Sequence, residues 1–340
     1  MSEKKRILNQ KPQINISWSS TARMWMVSGT ALLCILQSAL GDGGHSMIIA
    51  VTAVITSVLI EFLLTRKKSG VTKIKDGSAV TTALVLCLLL PNQIHPVYAA
   101  LGTAFAIVVV KYSFGGLGSN WLNPALGGWL FMRISWPSAF SNALSGSSSS
   151  AAEMLMSSNA SAIDNSVSSF LNRTILSIPG AQLPTGYIDL LFSNNPGIIT
   201  DRGLFALLIG TVFITALGIN RGWVPLAFLS VYGFLIRLAG DADGVLWNGD
   251  ILYGLFSGGT AAAAFILAAE PASGVKLKLG VLFTVILGAV LSWFFRYRCL
   301  EYSGCFIALA FVNCLSPLVR LFEDRFFLSR SRGVVQENLL

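Results

Sequence analysis

Long apolar runs separated by short polar segments recur along nearly the whole chain, and short alternating strands are absent from the pattern. A helix crossing the hydrocarbon core of a bilayer needs about 20 mostly apolar residues. On that measure the pattern predicts ten membrane spans, at 24–41, 46–65, 77–91, 95–113, 123–136, 203–219, 222–240, 250–269, 277–295 and 302–320. The runs at 77–91 and 123–136 are short for a full crossing, which points to tilted, broken or half-helices. The expected fold class is an all-α, polytopic membrane protein; a β-barrel would show short alternating strands.

The only long non-membrane stretch is 137–202, which holds the Ser- and Ala-rich segment SGSSSSAAEMLMSSNASAIDNSVSS. It leaves five spans on either side. An odd number of spans per half reverses the second half, which is the inverted-repeat arrangement. A weak internal echo agrees: DGSAVTTALVLCLLLP ends at Pro91 and FSGGTAAAAFILAAEP ends at Pro271, while LNPAL near Asn123 and NCLSPL near Asn313 fall in corresponding spans. The expected organisation is an N-terminal arm (1–23), a first five-helix repeat (24–136), a loop (137–202), a second repeat (203–320) and a tail (321–340). Gly, Ala and Thr are also common wherever membrane helices pack closely, so the echo alone does not prove duplication.

Composition sharpens this picture. The chain has 340 residues, is 54% hydrophobic and only 12% charged, with a mean hydropathy of +0.67, too apolar for an ordinary soluble domain. The polar, basic start MSEKKRILNQKPQINISWSS has no adjacent small-residue cleavage site, so no cleavable signal peptide is expected. With the N-terminus inside, 18 of the 24 Lys and Arg residues fall on the inner side, and only Arg133, Arg173, Arg202, Arg237, Arg296 and Arg298 fall outside. That asymmetry predicts both termini in the cytoplasm. The net charge of +8 then reflects topology and not nucleic-acid binding. The five cysteines, Cys34, Cys87, Cys299, Cys305 and Cys314, form no CxxC pair, so buried, inert thiols are expected and no zinc or iron–sulfur ligation.

Four stretches carry candidate chemistry. In KYSFGGLGSNWLNPALGGW, Gly115, Gly116 and Gly118 allow positive φ and close backbone approach. Asn120 and Asn123 can satisfy exposed backbone groups, and Pro124 suits the first turn of a helix capped by Asn123. This is either a ligand-shaping turn or a re-entrant turn with no ligand. In KIKDGSAVTTALVLCLLLP, Asp76 begins a helix whose early turns carry Ser78, Thr81 and Thr82; it is a cap, a pocket wall or part of an ion path. Glu270, ending a span before Pro271, is an ion-path candidate or a solvated interfacial carboxylate, and Glu61 near the end of the second span is similar. By itself NALSGSSSS, from Asn142 to Ser150, reads as a flexible polar loop.

Taken together, DGSAVTTALVLCLLLP, GGLGSNWLNPALGG, AAEPAS and FVNCLSPLVR resemble, in order and spacing, the NqrB/RnfD family over most of 70–320. These are membrane flavoprotein subunits of two related redox pumps, the sodium-translocating NADH:quinone reductase and the Rnf ferredoxin:NAD⁺ oxidoreductase. The length, the short N-terminal arm and the loop position are more similar to the RnfD branch. The NqrB branch usually carries a longer N-terminal extension.

The resemblance implies ten helices in a bacterial cytoplasmic membrane and FMN esterified through its phosphate to a hydroxyl side chain on the outer side. It also implies a second flavin held without a covalent bond. The attachment motif of the family is Ser-Gly-Ala-Thr-like; here Ser145-Gly146-Ser147-Ser148 puts Ser148 in the flavin position, with Asn142 where an acidic residue is common. A second alignment through DNSVSSFLNRT makes Thr174 the nearest candidate. Two further departures are Thr200-Asp201-Arg202-Gly203, where Asp201 keeps a carboxylate and Arg202 adds a cation suited to a flavin phosphate or to Asp201, and Glu270 in place of Asp. On this resemblance Gly115, Gly116, Gly118, Asn120, Asn123 and Pro124 are expected to shape one flavin pocket or the backbone around it. Asp76, Thr81 and Thr82 line a second pocket or an ion path for Na⁺ or H⁺, together with Asp201 and Glu270. The implied partners are a flavin-bearing subunit outside and iron–sulfur subunits in the cytoplasm, because the chain itself holds no cluster cysteines or nucleotide domain. The rival readings are an inverted-repeat solute transporter or channel, and a structural subunit that lost its covalent flavin.

Overall fold

The computed structural model describes residues 18–66, 76–113, 115–116, 120, 122–144, 162–174, 186–192, 197–240, 246–247, 249–270, 275 and 277–337. Among them the backbone is helical, with no strand beyond an isolated bridge between Pro91 and Ile198. The first half contains α1 (Ser20–Gly41), α2 (His45–Arg66), α3 (Ser78–Leu88), α4 (Pro96–Phe105) and α5 (Pro124–Ser135); α4 widens into a π-helical segment over Ala106–Tyr112. Short helices α6 (Pro137–Ala143), α7 (Ala162–Thr174), α8 (Tyr187–Leu191) and α9 (Ile199–Arg202) occupy the central connection. The second half contains α10 (Leu204–Ala216), α11 (Trp223–Ala239), α12 (Ile251–Phe256), α13 (Thr260–Ala262, continuing as a π-segment over Ala263–Ala268), α14 (Lys278–Trp293, with a π-segment over Phe294–Arg298) and α15 (Gly304–Glu337). Counting α12 and α13 as one interrupted pass, these make five passes in each half.

Local chemistry sets the helix starts. The Ser19 hydroxyl accepts from Ala22 N–H at 3.1 Å and caps α1. His95 precedes Pro96 at the start of α4, and Asn123 precedes Pro124 at the start of α5, so an ordered cap meets a proline whose missing N–H has no partner to lose. On α2 the exposed side chains Ile48, Val51, Ile55, Leu59 and Phe62 recur at helical spacing, while Ala50, Ala53, Ser57 and Glu61 on the other face are buried. Large apolar groups outward and small or polar groups inward is the arrangement a lipid-embedded helix requires.

Successive passes run in alternate directions between two ends of the molecule. The near face carries Ser20, Ser78, Lys111, Asn123, Asn220 and Glu270. The far face carries Gln37, whose side chain donates to Leu191 and accepts from Ala206, and His45, bonded to the Asn92 carbonyl. The first pass of the first half runs near to far, whereas that of the second half runs far to near, so the halves are inverted. Packing repeats too: in each half the second pass lies against the third and the fourth, and the fourth against the fifth.

Both third passes are broken, as the short apolar run at 77–91 suggests. At 11 residues α3 is about 16 Å long, roughly half a bilayer core. Beyond it, Leu90 and Asn92 bond to Ile199 and Gly197 at 2.9 and 3.0 Å, and Thr200 Oγ1 donates to the Leu88 carbonyl at 2.6 Å. Non-helical backbone at this depth is thus satisfied inside the protein. The predicted continuous span 250–269 is instead interrupted at Ser257–Gly259, where Gly258 and Gly259 hold φ of +67° and +70°.

Other expectations shift at their edges. The span 123–136 ends at Ser135, and Pro137 starts a separate helix. The last helix continues without a break through Glu337, so the tail expected from 321 is its extension. Cys34, Cys87 and Cys305 are buried, but Cys299 and Cys314 are exposed.

Candidate functional site

At the near face, passes from both halves enclose a cavity of about 380 Å³. Its apolar walls include Met24 and Val27 of α1, Val85 of α3, Leu122, Ile219 and Ile266. Its polar groups come from Arg23, from Ser78, Thr81 and Thr82 of α3, from Lys111, and from Asn120, Asn123, Asn220 and Glu270. The volume falls within the range of about 300–1,000 Å³ usual for small-molecule pockets, and the lining combines apolar walls with polar groups as such pockets do.

The cavity is ordered by its own hydrogen bonds. Thr81 Oγ1 lies 2.8 Å from Ser28 Oγ and 3.1 Å from the Met24 carbonyl, tying α3 to α1. Thr82 Oγ1 returns to the Ser78 carbonyl of its own helix at 2.8 Å. Asn123 Oδ1 accepts from Ala125 and Leu126 at 2.9 and 3.2 Å, while its nitrogen donates to Glu270. With its amide turned to satisfy its surroundings, Asn120 donates to the carbonyls of Lys111 and Val110 at 3.2 and 3.3 Å. Asn220 donates to the Phe265 carbonyl at 3.3 Å and fixes the end of the interrupted pass.

One wall is an ion pair. Lys111 Nζ is 2.6 Å from Glu61 Oε1, with the two side chains 3% and 2% exposed. Nζ is also 2.6 Å from Ser78 Oγ, which in turn lies 2.9 Å from Asp76 Oδ1. Tyr112 Oη donates to the same Glu61 oxygen at 3.0 Å. The π-helical segment ends here; such widened turns are frequent at functional sites.

Seven residues singled out in the sequence therefore meet at one cavity: Ser78, Thr81, Thr82, Asn120, Asn123, Pro124 and Glu270. Asp76 stands one bond behind it. Gly115 and Gly116 do not line it; their φ values of +103° and +94° turn the chain at the end of the fourth pass, with Gly116 N–H closing on the Lys111 carbonyl at 3.0 Å. Gly118 and Ser148 lie outside the described residues. Thr174 is the exposed last residue of α7 and is not brought to the cavity.

Asp201 is at the far face. Its oxygens accept from Gly259 N–H at 2.8 Å, Gly258 N–H at 3.1 Å and Tyr302 Oη at 2.9 Å, so it caps the break in the interrupted pass. Fully buried Arg296 donates to the Ser257 and Gly254 carbonyls and to Ser257 Oγ, Thr260 Oγ1 and Tyr232 Oη nearby. Burial pushes the Arg202 guanidinium below its usual value, and the charge of Asp42 opposes that shift. Sequence reasoning missed Lys111, Arg23 and Arg296 as site or core groups. The available signal was a basic residue inside an apolar run, VVVKY and FFRYR.

The fold and the cavity define a polytopic helical membrane protein of two inverted halves, with a ligand-sized chamber where they meet. The profile of the NQR2, RnfD, RnfE family matches residues 7–327, and the chain belongs to that family. Among similar proteins, the RnfD-type component of the proton-translocating ferredoxin:NAD⁺ oxidoreductase complex of Clostridium ljungdahlii is 25% identical, over 93% of this chain and 94% of that protein. The corresponding component of the Na⁺-translocating ferredoxin:NAD⁺ oxidoreductase complex of Acetobacterium woodii is 25% identical over 99% and 98%. That of an ion-translocating oxidoreductase complex of Alcanivorax borkumensis is 30% identical, over 87% of each.

The residues present fit a flavin. The chamber is lined by apolar side chains, among them Met24, Val27, Val85, Leu122, Ile219 and Ile266, and by the donors Arg23 and Lys111. Arg23 Nε is buried at the wall without a hydrogen-bond partner among the described residues. A flavin needs that combination: ring faces against hydrocarbon, and donors toward the electron-rich pyrimidine edge.

Proposed function

We propose that this chain is the membrane flavoprotein subunit of an ion-translocating ferredoxin:NAD⁺ oxidoreductase complex, and that the near-face cavity holds its non-covalent flavin. The observation that carries this reading is the convergence of Thr81, Thr82, Asn120, Asn123, Pro124 and Glu270, from both halves, on one chamber. The flavin supplies electron transfer. The chain binds and orients it: Met24, Val27, Val85 and Ile266 exclude water, and the Lys111 edge presents positive charge.

In this reading FMN is attached through a phosphodiester to Ser148 on the far side, with Thr174 as the alternative. Electrons pass between it and carriers in neighbouring subunits, a flavin-bearing one outside and iron–sulfur ones inside. Na⁺ or H⁺ movement draws on that passage, with Asp76 and Glu270 beside the cavity and Asp201 at the opposite face as candidate stations. The near face is cytoplasmic, since Arg23, Arg66, Lys111, Arg221 and Lys278 gather there.

The test is flavin accounting on the purified chain. A flavin released by acid, plus an FMN-sized mass increment that disappears in Ser148→Ala, is the expected result. A mass increment that persists moves the attachment to another residue, with Thr174→Ala as the next variant. A second reading, solute transport, draws on the inverted halves and the two broken third passes. A colourless preparation that moves solute into vesicles decides for it.

A further inference from the structure

We propose that Lys111 sets the redox potential of the flavin in the near-face cavity, its ammonium stabilising the reduced ring and Glu61 anchoring that ammonium. The inference rests on the flavin reading of the cavity.

The two halves provide an internal comparison. Each carries a buried cation in the π-helical end of its fourth pass, Lys111 in the first and Arg296 in the second. Each reaches a broken third pass, at the start of α3 through Ser78 in one case and at the break between α12 and α13 through Ser257 and Thr260 in the other. Their surroundings then differ. Arg296 sits inside packed core and is held by acceptors on four residues through its two terminal nitrogens, its Nε having no partner among the described residues. Lys111 lines the cavity and uses two of its three ammonium hydrogens, on Glu61 and Ser78. Its third has no acceptor among the described residues, although the side chain is only 3% exposed. Glu61 Oε2 is likewise buried, with no hydrogen-bond partner among the described residues. Of the pair, Lys111 lines the chamber and Glu61 stands behind it, outside the lining.

The chemistry follows from charge. A flavin held there would take up two electrons in two successive one-electron deliveries from an iron–sulfur carrier of a neighbouring subunit, with two protons for a neutral ring or one for an anionic ring. An ammonium at the cavity edge favours the anion, so reduction consumes two electrons and one proton. The other titratable groups facing Lys111 are Glu61 from α2, Tyr112 from its own helix, Asp76 through Ser78, and Arg23 and Glu270 across the cavity.

The experiment is a redox titration at several pH values of the acid-releasable flavin, in the chain purified with its accompanying subunits. Lys111→Met combined with Glu61→Gln removes the cation without stranding a carboxylate. Glu61→Gln alone removes the neutralising charge and leaves the cation. The double variant is expected to lower the midpoint potential and to raise proton uptake from one to two per two electrons. The single variant is expected to raise the potential. Each shift corresponds to at least about a tenfold change in the ratio of reduced to oxidised flavin at fixed potential. Lys111→Arg in place of Met should restore one-proton behaviour. Full flavin content with unchanged potential and proton count in both variants overturns the role of Lys111 and leaves the flavin reading standing. A wild-type preparation that releases no flavin overturns both. If the double variant loses the flavin, the Glu61→Gln shift decides: no rise in potential overturns the proposal.

Discussion

The side chain of Asn123 caps α5 through its oxygen and, through its nitrogen, donates to Glu270, which lies 147 positions later at the end of the interrupted pass. One residue thus starts a helix of the first half and ties it to the second half at the cavity wall. Asn123→Ala removes the cap, about 1 kcal/mol, and a hydrogen bond to a charged group, a further ~2 kcal/mol. Thermal unfolding in detergent should show a lower midpoint. Asn123→Asp keeps the cap but sets a second carboxylate against Glu270, so it should be no better tolerated. Stability equal to the parent in both variants contradicts the clamp.

The Lys111–Glu61 pair makes a sharper energetic prediction. Removing one partner of a buried ion pair leaves a stranded charge, which costs about 3–5 kcal/mol, whereas replacing both by apolar groups is often close to neutral. Lys111→Met should therefore destabilise strongly and Lys111→Met with Glu61→Leu much less. Losses that simply add in a double-mutant cycle would show that the two groups do not pair.

Burial separates the two arginine contacts at the far face. Arg133 and Glu301 meet at 2.8 Å, but their side chains are 26% and 22% exposed, and Arg133→Ala should change stability by no more than about 1 kcal/mol. Arg296 is wholly enclosed, and Arg296→Met leaves several acceptors of the broken pass unsatisfied at about 1–3 kcal/mol each. Chemical denaturation of the two variants side by side checks the ordering.

Two glycines with positive φ should respond differently to alanine. At Gly116 a Cβ would meet nothing within 4 Å, so Gly116→Ala carries only the left-handed backbone cost of about 1–2 kcal/mol. At Gly258 the Cβ would also lie 2.5 Å from Arg296 Nη1 and 2.7 Å from the Tyr302 carbonyl. Gly258→Ala must displace the group that organises the far face, and its expression as folded protein should fall well below that of Gly116→Ala.

Much of this was legible in the chain. Apolar runs gave the passes because a lipid-embedded helix must satisfy its own backbone, and the short run at 77–91 announced the half-helix α3. Asn123-Pro124 read as a cap and a first turn, and is one. The break at Ser257–Gly259 was harder to see: SGG lay inside a run apolar enough to pass for one helix, and the turn is held by the tertiary partners Asp201 and Arg296. That Asp201 caps this break was not legible, because its three donors at sequence distances of 57, 58 and 101 leave no local pattern. The same applies to Lys111: an isolated lysine says nothing about a carboxylate 50 residues earlier.

The central claim is that the chamber between the two halves is a flavin site, and filling it tests that claim most directly. Thr82 lines the chamber and, among the described residues, bonds only to its own helix, so Thr82→Trp blocks the space without breaking a described tie between passes. Acid-released flavin per chain should fall to near zero in Thr82→Trp while the FMN-sized mass increment on the chain is retained. Acid-released flavin at the parent level in a folded Thr82→Trp protein would place the non-covalent flavin elsewhere and contradict the account.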